Sequence, residues 1–128
     1  MLRVLTLSTL YPDGGRPSFG LFVERQALAL AARPGVAVET VSPVGLPPWP
    51  LSLHPHYRPA ARLPAKETRH GLAVHRPRFR VWPGLGGSGA ARSLAAAVLP
   101  LARNLSFDVI DAQFFWPDGV AAMHLAEA

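Results

Sequence analysis

The chain contains no cysteine. Disulfide frameworks, cysteine nucleophiles, iron–sulfur clusters and thiolate zinc sites are therefore excluded. No apolar run approaches the ~18 residues that a membrane span needs, so any membrane contact is made from the side. The apolar N-terminus, Met1 to Ser8, is short, lacks a charged leader and runs at once into Pro12-Asp13-Gly14-Gly15. It reads as a first strand rather than a signal peptide, which makes the cytoplasm the expected location. The dinucleotide fingerprint G-x-G-x-x-G is absent. Gly15 and Gly20 have the spacing of a phosphate loop, but Leu21-Phe22 stand where Lys and Ser/Thr are required. No internal repeat, RNA-recognition motif, helix-turn-helix or zinc-finger pattern is present, so nucleic acid is not an expected partner.

What is present is one domain's worth of chain. At 128 residues it can bury roughly two-thirds of the surface its unfolded form exposes. Hydrophobic residues make up 49% and charged residues 16%, a globular balance. Proline is the excess: 14 residues, of which seven lie between positions 43 and 64. Helix and central strand are disfavoured there. An irregular excursion over 43–64 is expected, with Trp49 and Leu51 tucked against the body.

Residues 2–8 suit a strand buried on both faces of a parallel sheet. From about Gly20 the spacing of Phe19, Val23, Gln26/Ala27 and Leu30 predicts a helix, stopped by Arg33-Pro34-Gly35. Val36–Val41 is a second strand, and β-α-β favours parallel pairing through a right-handed crossover. A third strand is expected over Leu72–Phe79, then a glycine-rich loop over 83–89. The helix Ala90–Asn104 carries one apolar stripe, Leu94, Val98, Leu101 and Leu105, with a kink expected at Pro100. Phe107–Ala112 is a fourth strand, and a last helix opens at Pro117 or Asp118 and runs to Ala128 with no stop signal after it. The fold class is α/β: a Rossmann-like parallel sheet in the order 3-2-1-4 with helices on both faces.

Charge is concentrated. Between His54 and Arg80 seven basic side chains face one acid, a net +6, which leaves −1 for the rest of a chain of net charge +5. Arg58, Arg62, Lys66 and Arg69 are the candidates for contact with an anion or a membrane surface, beside Trp49 and Trp82. The competing reading is a solvated basic loop.

In doubly wound sheets ligands bind beyond the carboxyl ends of the strands. This makes Gly14-Gly15-Arg16-Pro17-Ser18-Phe19-Gly20 the foremost candidate site, whether as a close-approach loop or as a plain turn. Phe114-Phe115-Trp116 offers aromatic faces for a sugar or lipid tail, or for filling the core. Asp108 and Asp111 are three apart in a presumed strand and so point to opposite faces. Asp118 reads as a helix-start carboxylate, and His54-Pro55-His56 lacks a third ligand, so no metal is expected.

Leu2–Ser8, Phe19-Gly20-Leu21-Phe22-Val23-Glu24-Arg25-Gln26-Ala27-Leu28-Ala29-Leu30-Ala31 and Val36–Pro43 together resemble the N-terminal domain of the family 4 retaining glycosyltransferases. Its members carry a glycine-led first helix with Glu and a valine-rich strand ending in Pro. Phe107–Gln113 with Pro117–Ala122 is similar to the family's fourth-strand region. The resemblance implies the N-terminal, acceptor-side half of a GT-B architecture over residues 1–128, incomplete at the C-terminus. A second Rossmann-like domain would bind the nucleotide-sugar donor, with no further cofactor. The implied activity moves a sugar to a hydroxyl of a glycan or lipid-linked acceptor, and the isolated piece would be inactive. Gly14, Gly15, Gly20, Gln113, Trp116 and Asp118 would face the cleft. Gln113 stands where many members have histidine; it can hydrogen-bond a sugar but cannot titrate. A side chain at Gly20 would intrude on that cleft and impair activity more than stability. The alternative is a non-catalytic α/β module gripping a phosphorylated ligand at Gly14–Gly20.

Overall fold

The computed structural model describes residues 1–81, 89–113 and 115–128, with Phe115 and Trp116 described through their backbone alone. Trp82, the loop over 83–88, Phe114 and the side chain of Trp116 lie outside the described residues.

The chain opens with β1 (Leu2–Leu7), whose residues Val4 to Leu7 are all buried, as the continuous apolar run requires. It continues through α1 (Leu21–Ala31), β2 (Val36–Val41) and a short β3 (Val44–Leu46). A 3-10 turn at Leu51–Leu53 and a four-residue helix α2 (Arg58–Ala61) follow. Next come β4 (Lys66–Arg69), β5 (Leu72–His75), β6 (Arg78–Arg80) and α3 (Ala90–Asn104). The chain closes with β7 (Val109–Ala112), a wide π-type turn at Phe115–Gly119 and α4 (Val120–Glu127).

Five strands form the main sheet in the order β4-β5-β2-β1-β7. β1 pairs in parallel with β2 from Leu2↔Val36 to Leu7↔Val41, and with β7 from Val4↔Val109 to Leu7↔Ala112. β5 joins β2 in parallel. The four parallel strands thus take the order 3-2-1-4 expected from the sequence, with β1 interior. The addition is β4, which folds back antiparallel on β5 and becomes the edge. The turn between them is His70-Gly71, both at positive φ. The period-2 side chains sort the core. Leu5, Leu7 and Val41 meet α3 and α4 through Leu94, Val98, Ala121 and Leu125. On the opposite face Val74 packs with Val23 of α1 and with Tyr11. Each fully buried Leu or Val contributes about 1.5–3 kcal/mol, so the larger α3/α4 layer carries most of the stability.

Three expectations need correction. The third strand does not run unbroken over Leu72–Phe79. Pro77 has no N–H to donate, so the strand breaks at Arg76-Pro77 and its second half, β6, leaves the main sheet to pair with β3. Trp49 and Leu51 are not tucked in; they are 77% and 53% exposed. The last helix does not open at Pro117 or Asp118: a π-helical turn over Phe115–Gly119 runs straight into α4 at Val120, and Asp118 lies inside that helical run, buried, not at its start. α3 spans Ala90–Asn104 as expected, with Pro100 inside it.

Candidate functional site

A cleft of about 490 Å³ opens at the carboxyl ends of β1 and β2. Its floor comes from Thr9 and Tyr11 after β1 and from Ser42 to Gly45 after β2. One wall is the β1–α1 loop, with Asp13, Gly15, Arg16 and Phe19. The other is the proline-rich segment, with His56, Tyr57, Pro59, Ala60 and Leu63. Arg76 and Phe79 close the far side.

The β1–α1 loop is held from within. Asp13, 3% exposed, accepts hydrogen bonds on Oδ1 from the backbone N–H groups of Gly15 (2.9 Å) and Arg16 (2.8 Å). Its Oδ2 accepts the Arg16 fork, from Nε at 3.2 Å and Nη2 at 3.1 Å. The same guanidinium lies over the Phe19 ring, 3.9 Å from its centre. Arg16 is thereby fixed at the cleft wall with half its side chain exposed, and its Nη1 is uncommitted among the described residues. Two of the amides that a phosphate cradle would use are already directed at Asp13. That arrangement disfavours the reading of Gly14–Gly20 as a phosphate loop.

From below, the buried Arg76 reaches up to this loop. Its Nη2 donates to the Pro12 carbonyl (2.7 Å) and to Glu67 Oε1 (2.7 Å). Arg69 is drawn to buried Glu24 of α1 at 3.0 Å. Arg78 donates to the carbonyls of Arg76 and Leu63, and burial pushes its guanidinium below the usual range. Three of the seven basic side chains counted in the sequence are therefore engaged internally. Arg58, Arg62 and Lys66 remain exposed, whereas Arg69 is only partly so.

The other residues picked out from the sequence fall as follows. Gly15 lines the cleft; Gly14 is exposed at the loop tip. Gly20 adopts φ +67°, and a Cβ there would lie 2.6 Å from the Leu10 carbonyl carbon. Its requirement is thus close packing of the helix start on the Leu10–Tyr11 backbone. The expectation that a side chain at Gly20 would impair activity more than stability is replaced by a direct folding constraint. Gln113 donates from Nε2 to Asp111 Oδ2 (2.8 Å) and from its backbone N–H to Leu7 (3.1 Å). Asp118 Oδ2 accepts the Thr9 backbone N–H at 3.1 Å, while Oδ1 is buried without a partner among the described residues. Burial pushes the Asp118 carboxyl above the usual range, only partly opposed by the bonds from Thr9. Asp118 therefore supports the cleft floor from behind. Tyr11 is also pushed up by burial. Among the described residues no cluster of three or more His, Asp or Glu side chains is arranged to hold a metal ion.

The sequence reading missed Asp13, His56, Tyr57 and Arg76. The Asp-Gly-Gly turn signal could have found Asp13, because Asp side chains bond the backbone two residues on. Nothing local announces that 56–63 folds back over the strand ends.

Fold and cleft define a Rossmann-like α/β domain with a cleft at the carboxyl ends of its parallel strands, where doubly wound sheets bind their ligands. Over 99% of its length the chain is similar, at 32% identity across 131 aligned residues, to a protein named as a teichuronic acid biosynthesis glycosyltransferase, TuaC of Bacillus subtilis (strain 168). The chain spans about a third (33%) of the length of that relative. No protein-family model and no solved structure matches the chain.

Proposed function

We propose that this chain is the acceptor-side, N-terminal domain of a GT-B glycosyltransferase of the family 4 retaining type, serving cell-surface polymer biosynthesis. Its partner is a second Rossmann-like domain that binds the nucleotide-sugar. The acceptor is a glycan or lipid-linked glycan, and the enzyme works in the cytoplasm, in peripheral contact with the membrane. The observation that carries this reading is the cleft at the ends of β1 and β2, walled by a rigid Arg16–Asp13–Phe19 group on one side and Tyr57 on the other. The similarity to TuaC supports it. Such a cleft suits a sugar: Arg16 Nη1 donates to hydroxyls while a ring offers a face to C–H groups. The domain's role is positioning. It holds the acceptor hydroxyl and excludes water while the donor is presented from across the cleft. No residue here is assigned to proton transfer, since Gln113 does not titrate and Asp118 is buried.

The test is transfer of radiolabelled sugar from a panel of nucleotide-sugars to bacterial glycan extracts. It uses the chain alone and the chain continued through its downstream reading frame. Transfer by the continued chain but not by the 128 residues alone is the expected result. Tight binding of nucleotide-sugar by the chain alone would overturn the division of labour. Binding of inorganic phosphate that is lost with Gly15→Val would favour the non-catalytic module instead.

A further inference from the structure

The proline-rich segment has two faces. Its inner face, Tyr57, Pro59, Ala60 and Leu63, walls the cleft. Its outer face carries Trp49, Leu51 and Leu53, which are 77%, 53% and 55% exposed. Three large apolar side chains within five residues are not scattered surface hydrophobes. The turn is well anchored: Pro47 is buried before it, the 3-10 turn closes with Leu53 N–H to Pro50 O at 3.0 Å, and Arg58 Nη2 donates to the Leu53 carbonyl at 3.1 Å. The apolar side chains are presented outward by an ordered turn.

The surrounding charge has one sign. From Glu39 to Glu67 the sequence contains no other acidic residue, while Arg58, Arg62 and Lys66 are exposed within that interval. An apolar tip with a basic border complements an anionic lipid bilayer. Tryptophan favours headgroup depth, and leucine the acyl boundary below it. A protein partner with an acidic rim would match the charge equally; the tryptophan beside leucines at the exposed tip, suited to the headgroup and acyl depths of a bilayer, favours the lipid.

We infer that Trp49, Leu51 and Leu53 form a wedge that inserts shallowly into an anionic bilayer, with Arg58, Arg62 and Lys66 on the headgroups. This deepens the peripheral membrane contact of the proposed function and rests on that reading. It centres the contact on the apolar turn, adds Leu51 and Leu53 to Trp49, and removes Arg69, which Glu24 holds. It also has a consequence for the acceptor. The inner face of the inserted segment is a cleft wall, so the cleft mouth lies beside the membrane surface, where a lipid-linked glycan presents its sugar end.

The test uses flotation of the 128-residue chain with phosphatidylcholine vesicles, with and without phosphatidylglycerol. The chain is expected to float with the anionic vesicles alone. Trp49→Ser/Leu51→Ser/Leu53→Ser should lower partitioning by about tenfold or more. Arg58→Ala/Arg62→Ala/Lys66→Ala should lower it by about tenfold and flatten its salt dependence. Because the chain lacks cysteine, Trp49→Cys carrying an environment-sensitive fluorophore reports insertion directly, even where the triple variant fails to fold. A blue shift on anionic vesicles is expected at position 49 and none at Arg103→Cys on α3. Equal flotation with both vesicle types, or an unchanged spectrum at position 49, would overturn the wedge. A dimer in light scattering that the Trp49/Leu51/Leu53 variant dissolves would also overturn it, by assigning the turn to a second copy. None of these readouts needs a donor sugar, so failure of the wedge is distinguishable from failure of the transferase reading.

Discussion

The two walls of the cleft are built on opposite physical plans. In the β1–α1 loop, Asp13 is saturated by two backbone amides and the Arg16 fork, Arg76 rises beneath Pro12, and Gly20 touches the Leu10 backbone. Its buried carboxylate and the Arg16 guanidinium face one another, and the Arg76 guanidinium beneath faces Glu67. In the segment from Pro47 to Pro64, order comes from prolines and short-range turns, and the large apolar side chains at its tip point away from the body. The first wall is stiff because the folded chain needs it, and the second is free to serve something outside. Substitutions should therefore be costly in the first wall and nearly neutral for folding in the second.

The largest effect is expected at Gly20. Gly20→Val combines a positive φ with a Cβ 2.6 Å from the Leu10 carbonyl carbon. It should destabilise the chain by about 3–5 kcal/mol, read as the shift in urea unfolding. A loss below 1 kcal/mol would show that the first wall is softer than its contacts imply. Gly35→Ala is the comparison, because Gly35 has φ +78° but nothing near a Cβ; about 1–2 kcal/mol is expected there.

Arg76→Ala comes next. It removes the hydrogen bond to Pro12 and leaves Glu67, 23% exposed, without its cation. About 2–4 kcal/mol is expected, toward the lower end because water reaches Glu67. Arg76→Ala/Glu67→Ala should recover part of this loss in the same melts. If it recovers none, Arg76 acts through Pro12 alone.

Asp118 gives a smaller effect with a defined sign. Its folded carboxyl titrates above its unfolded value because burial opposes the charge. Its contribution to stability is present below the unfolded value near 3.8 and is lost as pH rises through the raised folded value. Asp118→Asn removes that loss, so the variant should gain thermal stability relative to wild type as pH increases from about 3.8. Asp108 runs the other way. Hydrogen bonds from Arg3 hold it below the usual range, so its contribution is present above the unfolded value and lost in acid. Melting profiles of Asp118→Asn and Asp108→Asn across acid pH would separate the two; parallel profiles would contradict both assignments.

Smallest of all, Trp49→Ser should shift stability by less than about 0.5 kcal/mol, as a substitution of an exposed side chain. A larger loss would place Trp49 in the folded core and erase the contrast between the walls.

The legible part of the molecule is the part governed by periodicity. The apolar β1, the 3.6-residue stripe of α3 and the Arg33-Pro34-Gly35 stop each act locally, so strand order and helical layers follow from them. Proline at 77 also acts locally, yet its effect was to send β6 into a second sheet, because Pro43 interrupts the neighbouring strand at the same level. The candidate site was legible at Gly15 and not at His56 or Tyr57. The latter reach the cleft through an irregular path that no spacing rule encodes. Charge misled for a related reason: sequence counts Arg69, Arg76 and Arg78 as surface, and only tertiary contact reveals Glu24, Glu67 and the carbonyls that hold them.

Those paired interruptions have a further consequence. Ser42 N–H bonds His75 at 2.7 Å and Val44 N–H bonds Pro77 at 2.8 Å, so two adjacent strands break together, side by side. The sheet is creased along a line, and β3 and β6 continue past it as a separate two-stranded panel. Val44, Gly45 and Phe79 of that panel face the cleft, while the buried ladder of β1 and β2 lies on the other side of the line. A change of residue beyond the crease reaches the cleft and the packing together, since Phe79 also rests on the core under α3 and a Cβ at Gly45 would lie 2.6 Å from Val81. The crease is thus a joint rather than a boundary: the panel that shapes the cleft is held in place by the same core that folds the sheet.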